Sequence, residues 1–517
     1  MHKDLLKKSP WLLFGLTLCL LVASLTAKTV DLTTADLGRH IANGRWVLSH
    51  PEVLFTNFYS YTHPAAPFTN HHWLTGLIFH AVETTVGFTG LSVFYVTLVV
   101  SAFAIMLVAA WQRSGPMAAL ALGLLVAPLV SYRTEVRPEG VSLFLSVVIY
   151  ALISAFAEQK LSWKWLLTVP VIMILWVNSH IYFFFGLLII GIFLSEAALK
   201  AGMLPHGPER KKLTKRCYTL LAILILSSLA SLVNPEGWKL ATYPLKIFDN
   251  YGYMIVENQS VPFFLDRNMH FPVFTPLYVT LAGVWGLAVW GGVRHRIENL
   301  PLASIFIALL LSALAIKAIR NISMFGVFAL PAMAQLWPET PRRFVKSLLL
   351  CLVAFGSTAA YFATSSPATF ANLGIGLREG SNEAADFFRS KNLKGPMFNN
   401  YDIGGYLIYH LYPDTKVFVD NRPEAYPASF LTDAYIPMQE NDAKWREIDA
   451  DQHFNVIFFN WHDYTPAGQT FLITRIRDPE WAPVYVDQFA LIFLRRTTEN
   501  QPIISRYEIP KDRFSVR

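Results

Sequence analysis

The segment DLTTADLGRHIANGRWVLSHPEVLFTNFYSYTHPAAPFTNHHWL, residues 31–74, is a polar insert that directly follows the first apolar stretch of the chain. The preceding apolar run starts at Trp11 and ends at Lys28. Within the insert, Asp36 stands at the start of a pattern that predicts an amphipathic helix through Ser49. Because the preceding run is long enough to cross a bilayer, the acidic, basic and imidazole side chains of this loop are expected at a membrane surface.

The composition of the chain indicates a membrane protein with many spans. Its 517 residues are 53% hydrophobic and only 15% charged, with a mean hydropathy of +0.37, which is too apolar for an ordinary soluble protein. The net charge of +7 is concentrated in short loops between apolar runs, so it indicates membrane orientation rather than nucleic-acid binding. The cysteines are interpreted as small buried apolar residues without metal spacing: Cys19, Cys217 and Cys351.

The apolar runs predict about eleven transmembrane helices. They lie near residues 10–27, 88–111, 116–131, 141–157, 164–179, 181–198, 217–233, 271–291, 299–316, 322–337 and 344–363. The first run is interpreted as a retained span with a cytoplasmic N-terminus, and a cleaved signal peptide is the alternative. The short amphipathic stretch 73–87 is predicted to lie at the membrane interface.

Basic loops give the predicted orientation. With the N-terminus inside, the three most basic loops all fall in the cytoplasm: 199–216, 292–298 and 338–343. The connections around Gln112 and Arg113 and at 158–163 are also cytoplasmic. The remaining connections are then outside: 28–87, 131–140, 178–180, 234–270 and 317–321. Since the unusual polar clusters all lie in these outer loops, the sequence predicts a functional site on the periplasmic side.

Residues 366–517 are predicted to form a soluble α/β domain on the same outer side, after a transmembrane domain of residues 1–365. Five runs rich in β-branched and aromatic residues predict strands: MFNN, KVFVDN, NVIFFNW, APVYVD and ALIFLRR. They alternate with helical stretches such as NEAADFFRSKN and AKWREIDADQ. This alternation favours a largely parallel sheet.

Asp36 is the candidate catalytic residue. A carboxylate at the start of an outer helix is placed to deprotonate an acceptor hydroxyl or amine. The alternative is that Asp36 only complements the partial positive charge of a helix N-terminus.

Three arginines at predicted span ends are candidates for binding a lipid-linked phosphate. Arg133 and Arg137 lie in SYRTEVRPEG together with Glu139, and Arg320 lies in KAIRN. A guanidinium group donates two hydrogen bonds at once to phosphate. The alternative is that these side chains anchor span ends at the interface.

Other polar residues of the outer loops are candidates for contacts with substrate. His71 and His72 close the first loop, and His180 follows a predicted span in WVNSH; an ordinary interfacial role is the alternative for each. One adjacent histidine pair is weak evidence for a metal site, so no metal or cofactor is predicted and the use of a divalent metal stays open. Glu236, in VNPEGW, either contacts substrate or belongs to a capped turn.

Three further acidic and basic residues are candidates for contacts with substrate. Glu257, in VENQSVPFF, is a second carboxylate that would help to bind an acceptor. Asp420 ends a predicted strand, where ligand sites of α/β domains lie, and Arg422 follows closely. The alternative is a structural salt bridge between Asp420 and Arg422.

These motifs together resemble, in order along nearly the whole chain, the polytopic GT-C type glycosyltransferases. The likeness is strongest to poorly characterised bacterial members and weaker to the protein mannosyltransferases and the aminoarabinose transferase of lipid A. It rests on ADLGRHIANGRWVLSH, FTNFYSYT, HHWL, RPEG, LWVNSH, SLVNPEGW, RNISMFGVFALP, NNYDIGGYLIYHLYP and VFVDNRPEAY. Two positions depart from the pattern: Ala35 precedes Asp36 where many members have a second acidic residue, and His72 stands where many bacterial relatives have Glu.

The resemblance implies a polyprenyl-phosphate sugar donor, transfer on the outer face without a nucleotide, and a catalytic role for Asp36. We therefore predict a multi-pass glycosyltransferase of the bacterial inner membrane, in contact with membrane lipid, with an acceptor that is a glycan, lipid or protein and with no nucleic-acid partner. The alternatives are a transporter or lipid flippase and a non-catalytic scaffold. A transporter predicts ionisable residues near the middle of spans, whereas the charges here gather at their outer ends.

Overall fold

The computed structural model describes residues 2–33, 36–246, 252–337 and 343–515. The helices of the first half are α1 (His2–Thr26), α2 (Leu37–Trp46), α3 (Trp73–Ser114), α4 (Pro116–Val130), α5 (Glu139–Ala157), α6 (Thr168–Ser179), α7 (Phe184–Met203), α8 (Pro208–Ala230), α9 (Trp238–Thr242) and α10 (Val261–Leu265). Those of the second half are α11 (Phe274–Arg294), α12 (Leu302–Lys317), α13 (Ile322–Leu336), α14 (Arg343–Thr364), α15 (Pro367–Phe370), α16 (Glu383–Ser390), α17 (Gly404–Leu411), α18 (Ile436–Glu440), α19 (Asp442–Gln452), α20 (Pro466–Arg477) and α21 (Gln501–Tyr507).

The predicted polytopic helical fold is confirmed. Every predicted span falls on a helix, and within the described ranges seven helices are long and apolar enough to cross a membrane. These seven are Ser9–Thr26, Trp73–Ser114, Glu139–Ala157, Ile181–Met203, Pro208–Ala230, Phe274–Arg294 and Phe344–Thr364. The other predicted spans fall on shorter apolar helices: Pro116–Val130, Trp163–Ser179, Leu302–Lys317 and Ile322–Leu336. The predicted cytoplasmic loop 338–343 lies outside the described residues except for its last position.

The chain divides into two compact units. The helical unit comprises Met1–Thr29, Ser92–Pro244 and Ile255–Ile375. The sheet-containing unit comprises Val30–Leu91, Leu245–Met254 and Gly376–Arg517. The polar insert is therefore grouped with the C-terminal region of the chain.

Helix α13 forms the centre of the helical unit. All of its residues except Gln335 are buried, as expected for a helix that is apolar on every side. Gly326 allows it to approach α4, because a Cβ at this position would lie 2.7 Å from Cβ of Leu129. By contrast, α1 exposes Leu12, Leu13 and Phe14, as expected of a helix that faces lipid.

Helix α3 is interrupted at Gly87. The residue has φ 67° and ψ −171°, a combination that residues with a Cβ rarely adopt. The break falls between the predicted interfacial stretch 73–87 and the predicted span 88–111, so the sequence located this boundary correctly.

The sheet-containing unit has a four-stranded sheet of order β1 (Met397–Asn399), β2 (Val456–Asn460), β4 (Ala490–Arg495) and β3 (Trp481–Val486). The prediction of a largely parallel sheet is wrong, because only β1 and β2 pair in parallel and both pairings of β4 are antiparallel. The hairpin between β3 and β4 explains the difference. Its connection is three residues long, and Asp487 Oδ1 accepts hydrogen bonds from the backbone amides of Phe489 and Ala490, both at 2.7 Å.

The predicted strand KVFVDN is not a strand of this sheet. Its backbone is held instead by the side chain of Asn399, which accepts from the amide of Phe418 at 2.9 Å and donates to the carbonyl of Val419 at 2.7 Å. On the other side, Val417 exchanges backbone hydrogen bonds with the polar insert: its amide donates to Tyr59 at 3.1 Å and its carbonyl accepts from Tyr61 at 3.1 Å. The insert is therefore an integral part of this unit, and its Phe68 lies in the same hydrophobic core.

Candidate functional site

The three candidate arginines converge in the helical unit. Arg133 lies after α4, Arg137 lies before α5, and Arg320 lies in the turn before α13. They meet on Glu257: its Oε2 accepts from Nη1 of Arg133 at 2.7 Å and from Nη1 of Arg137 at 3.2 Å, and Nη2 of Arg320 is 3.5 Å from its Oε1. Three segments that are distant from one another in sequence thus bring their guanidinium groups to one carboxylate.

Two further carboxylates complete this arginine cluster. Glu139 Oε1 accepts from Nη2 of Arg320 at 2.7 Å and from Nη2 of Arg133 at 3.4 Å. Glu135 Oε2 lies 2.6 Å from Nε of Arg137. Each arginine is therefore paired with a carboxylate of the chain itself, which the sequence analysis did not predict.

The electrostatics of the arginine cluster keep Glu257 ionised. Burial by itself would raise the pKa of this carboxyl group, but the charges of Arg137, Arg133 and Arg320 lower it to about 2. The adjoining cavity, lined by Arg133, Glu139 and Arg320 among others, has a volume of about 20 Å³, which is little more than one water molecule requires. A phosphate therefore reaches these arginines only if a carboxylate leaves them.

His180 lies beside this cluster as a neutral side chain. Its Nδ1 is 2.8 Å from Oγ of Ser142, which also accepts a hydrogen bond of 2.8 Å from Nε1 of Trp176. The contact between Ser142 and Nδ1 is a hydrogen bond for either tautomer of the ring, because the serine hydroxyl can both donate and accept. Burial lowers the pKa of His180 to about 4, so at neutral pH the imidazole is uncharged.

Glu236 does not join the arginine cluster. Its carboxylate is paired with Lys239, and its amide donates to Oδ1 of Asn234 at 2.9 Å. Asn234 also donates to the carbonyl of Gly237 at 2.9 Å. This arrangement is the capped turn that the sequence left open as the alternative.

Asp36 lies in the sheet-containing unit, directly before α2. Its side chain makes no capping hydrogen bond with the helix and is 23% exposed, so the carboxylate is accessible. Nη2 of Arg39 is 4.0 Å from its Oδ1. Arg39 is itself buried and donates from Nε to Oδ1 of Asn421 at 3.2 Å. Thus a buried arginine links the candidate base to the C-terminal part of the chain.

Helix α2 is held in place by close glycine contacts. A Cβ at Gly38 would lie 2.7 Å from the carbonyl oxygen of Gly405, and one at Gly44 would lie 2.1 Å from that of Gly76. The predicted amphipathic helix through Ser49 is wrong in two respects: α2 ends at Trp46, and most of its residues are buried. The glycines let backbone approach it from both sides, so little of it is left exposed.

Sequence reasoning missed a second carboxyl group near Asp36. Glu424 lies in a short turn, and burial raises its pKa, although Arg39 and Arg422 act in the opposite direction. The pKa of Tyr401 is raised mainly by burial and then by neighbours that include Glu424 and Asp36. Tyr401 stacks on Tyr253, with ring centroids 4.1 Å apart. The surroundings of Asp36 thus combine acidic, guanidinium and aromatic groups.

The two predicted histidines of the first loop, His71 and His72, form a packed cluster with His40. Nδ1 of His72 is 3.1 Å from Oδ1 of Asn70, and the ring of His72 lies 4.1 Å from that of His71 and 4.5 Å from that of His40, between centroids. Nδ1 of His71 is 3.2 Å from the carbonyl oxygen of Thr69. Among the described residues, no group of three or more His, Cys, Asp or Glu side chains is arranged to hold a metal ion.

Asp420 and Arg422 form a fully buried pair. Nε and Nη2 of Arg422 donate to the two carboxylate oxygens of Asp420 at 2.7 and 2.6 Å. Nη2 also donates to Oδ1 of Asn57 at 2.7 Å, and the Tyr426 hydroxyl donates to Asp420 at 3.2 Å. With relative exposures of 0% for Asp420 and 1% for Arg422, the arrangement favours the structural salt bridge over direct contact with substrate.

No family model matches this sequence. No curated protein matches it either. Solved structures do match the fold. The archaeal oligosaccharyltransferase AglB from Archaeoglobus fulgidus, in complex with an inhibitory peptide and a dolichol-phosphate, aligns with a TM-score of 0.60 and 12% identity over 98% of this chain and 75% of that one.

ArnT from Cupriavidus metallidurans, bound to undecaprenyl phosphate, aligns with a TM-score of 0.55 and 12% identity over 97% of this chain and 99% of that one. Both are GT-C glycosyltransferases. The chain has the GT-C fold. The resemblance seen in the motifs is thereby confirmed at the level of fold. The seven long apolar helices among the described residues fit a multi-pass membrane protein with this fold.

Proposed function

We propose that this protein is a membrane glycosyltransferase that transfers a sugar from a polyprenyl-phosphate donor to an acceptor on the outer face of a bacterial inner membrane. The GT-C fold supports glycosyl transfer in general, but a fold by itself does not specify a reaction. The acceptor is a glycan, lipid or protein.

The observation that carries the proposal is the convergence of three guanidinium groups on one carboxylate. Glu257 occupies a place where its two oxygens meet Arg133, Arg137 and Arg320. The phosphodiester of a polyprenyl-phosphate sugar carries the same single charge as a carboxylate and, like it, two terminal oxygens that accept hydrogen bonds. The lipid phosphate of the donor would replace Glu257 and form hydrogen bonds to the same arginines.

The reaction then divides between two sets of residues. Asp36 accepts the proton of the acceptor hydroxyl or amine as that atom bonds to the anomeric carbon of the sugar. The bond from this carbon to the phosphate oxygen breaks, and polyprenyl phosphate leaves as an anion. The arginines stabilise the charge that develops on the leaving group.

Transfer from a labelled donor tests this function. Purified protein is incubated with a polyprenyl-phosphate sugar whose sugar is labelled, and with membrane extract as a source of acceptors. Release of unlabelled polyprenyl phosphate with transfer of the label supports the enzyme. Movement of intact donor across a vesicle membrane supports a flippase, and donor binding with neither outcome supports a scaffold.

The predicted orientation gives a separate test. The test uses a reporter that is active only outside the cytoplasm. It should be active when fused after Arg517 and inactive when fused in the basic loop 199–216. The reason is the excess of Lys and Arg in that loop, from Lys200 to Arg216. Activity of a cytoplasm-only reporter at Arg517 would place the C-terminal region inside and contradict the proposed site.

If the donor phosphate displaces Glu257, substitution of the arginines and substitution of Glu257 should change donor affinity in opposite directions. Replacing Arg137 or Arg320 by Ala should weaken donor binding by about one to two orders of magnitude, since a hydrogen bond to a charged group contributes roughly 1.5–3 kcal/mol. Glu257→Gln should strengthen donor binding, because it removes the charge that competes with phosphate and keeps the side-chain size. Equilibrium binding of a polyprenyl phosphate to detergent-solubilised protein measures both.

Arg267→Ala is the matched control for the arginine variants. Arg267 is exposed, belongs to the same unit, and donates to the carbonyl of Phe263 rather than to a carboxylate. General damage to the fold would lower affinity in every variant, including Glu257→Gln. Unchanged donor affinity in both arginine variants would support the alternative, in which these side chains only anchor span ends at the membrane interface.

A further inference from the structure

A second cavity of about 160 Å³ lies in the helical unit at the C-terminal end of α1. It is bounded by the ends of four apolar helices: α1, α4, α11 and α14. Its apolar and aromatic lining includes Leu25, Phe271, Val273 and Phe370. None of the residues assigned to the proposed transfer reaction lines it.

Three polar side chains of this cavity have no partners among the described residues, namely Lys28, Tyr132 and Tyr361. Two others are partnered: Oγ of Ser131 donates to the carbonyl of Val22 at 3.3 Å, and Oγ1 of Thr369 is 3.4 Å from Oγ of Ser366. Lys28 makes no side-chain hydrogen bond or ion pair there, although the charge of Glu135 is near enough to raise its pKa against the larger, opposite effect of burial. The hydroxyls of Tyr132 and Tyr361 likewise find no hydrogen-bond partner among these residues. One ammonium group and two hydroxyl donors therefore line a single cavity without being used by the fold.

The cavity is separate from the arginine cluster. Tyr132 and Thr134 line this cavity, whereas Arg133, between them in sequence, lines the small cavity beside Glu139. Neighbouring residues of the turn after α4 thus contribute side chains to two different cavities. The three arginines are paired with carboxylates, whereas Lys28 has no such pair among the described residues, so an anion can reach Lys28 without displacing a carboxylate.

We propose that this Lys28 cavity binds the head of a lipid phosphate. The phosphate would accept hydrogen bonds from Lys28, Tyr132 and Tyr361, and the first carbons of the chain would contact the aromatic wall. Apolar walls at the ends of membrane-length helices favour a lipid over free phosphate, because lipid headgroups lie at this level of the bilayer. The inference does not depend on glycosyl transfer.

Photo-crosslinking tests the proposal at the level of individual peptides. Detergent-solubilised full-length protein is exposed to dodecyl phosphate that carries a diazirine on the carbon chain close to the phosphate, and the modified peptides are identified by mass spectrometry. Labelling is expected in segments 131–134 and 361–373. Excess dodecyl phosphate should abolish it, whereas inorganic phosphate at the same concentration should not.

Substitutions identify the groups responsible. Lys28→Gln should reduce labelling of these segments at least about tenfold, and Lys28→Arg should restore it, because the positive charge is what the phosphate requires. Lys160→Gln, a change at an exposed lysine paired with Glu158, should leave labelling unchanged. Arg320→Ala should leave labelling of segment 361–373 unchanged, which separates this site from the proposed donor site. Segment 131–134 contains Arg133 and is not used for this comparison.

Three results would overturn the proposal. They are the absence of label from both segments, equal labelling in Lys28→Gln, and full competition by inorganic phosphate or by dodecanol. Loss of labelling in Arg320→Ala but not in Lys28→Gln would assign the lipid to the arginine cluster instead. Transfer activity is not measured in any of these arms, so a negative result here leaves the proposed function untouched.

Discussion

Replacing Asp36 by Asn should leave the protein folded in the membrane and reduce its transfer rate by about 10²- to 10⁴-fold, the usual contribution of a general base. Asn has nearly the same size and is still compatible with the start of a helix. The carboxylate of Asp36 caps no amide of α2, and the helix is positioned by the contacts of Gly38 and Gly44. The substitution is therefore expected to affect the chemistry and not the fold.

Asp31→Asn is the matched control for this variant. Asp31 lies in the same polar insert, is also 23% exposed and is also near an arginine, at 3.2 Å from Nη1 of Arg378. Transfer rate and donor affinity are measured in both variants. The Asp36 variant should keep its donor affinity, because donor binding is assigned to the arginines. Transfer at a near-parental rate in Asp36→Asn would exclude it as the base and, with it, the proposed mechanism.

The helices of this protein could be predicted from sequence because their signal is local. Each apolar run carries its own evidence for a span, and even the boundary at Gly87 was found from the change in pattern. The sheet needed more than local signals. Only three residues separate APVYV from ALIFLR, too few for the crossover that parallel strands require, so chain length alone identifies this hairpin.

The contacts within the candidate site were harder to predict from the sequence than the helices were. Arg133, Arg137 and Arg320 could be proposed as phosphate ligands because of their positions at span ends, but their pairing with Glu257 and Glu139 spans 120 residues or more in most cases and has no local signal. Glu257 was expected to contact an acceptor, whereas it occupies the place proposed for the donor phosphate. The pairing of these arginines with carboxylates of the same chain depends on tertiary contacts, which no local sequence pattern predicts.

The strand predicted at KVFVDN shows a related limit. Its alternation of apolar residues fits a strand, yet its hydrogen bonds go to Asn399 and to the polar insert, several hundred residues away in the second case. The sequence pattern predicts that this segment is extended and buried. It does not indicate which groups form hydrogen bonds with its backbone amides and carbonyls.

Replacing Asp420 by Ala should destabilise the sheet-containing unit by about 3–5 kcal/mol, because it leaves the charge of Arg422 buried without its partner. Arg422 is 1% exposed, and Asp420 accepts two of its hydrogen bonds. We expect the unit to become sensitive to limited proteolysis and to unfold at a lower temperature than the parent.

Two further variants separate a structural role from a role in binding. Asp386→Ala removes a carboxylate from an exposed pair, in which Arg389 is 2.6 Å away, and should cost less than about 1 kcal/mol. The double variant Asp420→Leu/Arg422→Met removes both charges and should recover much of the stability lost in Asp420→Ala, since a well-packed apolar pair often equals a buried ion pair. If Asp420 and Arg422 bound substrate, Asp420→Ala would keep the parental resistance to proteolysis and lose affinity for acceptor, and the double variant would not recover that affinity.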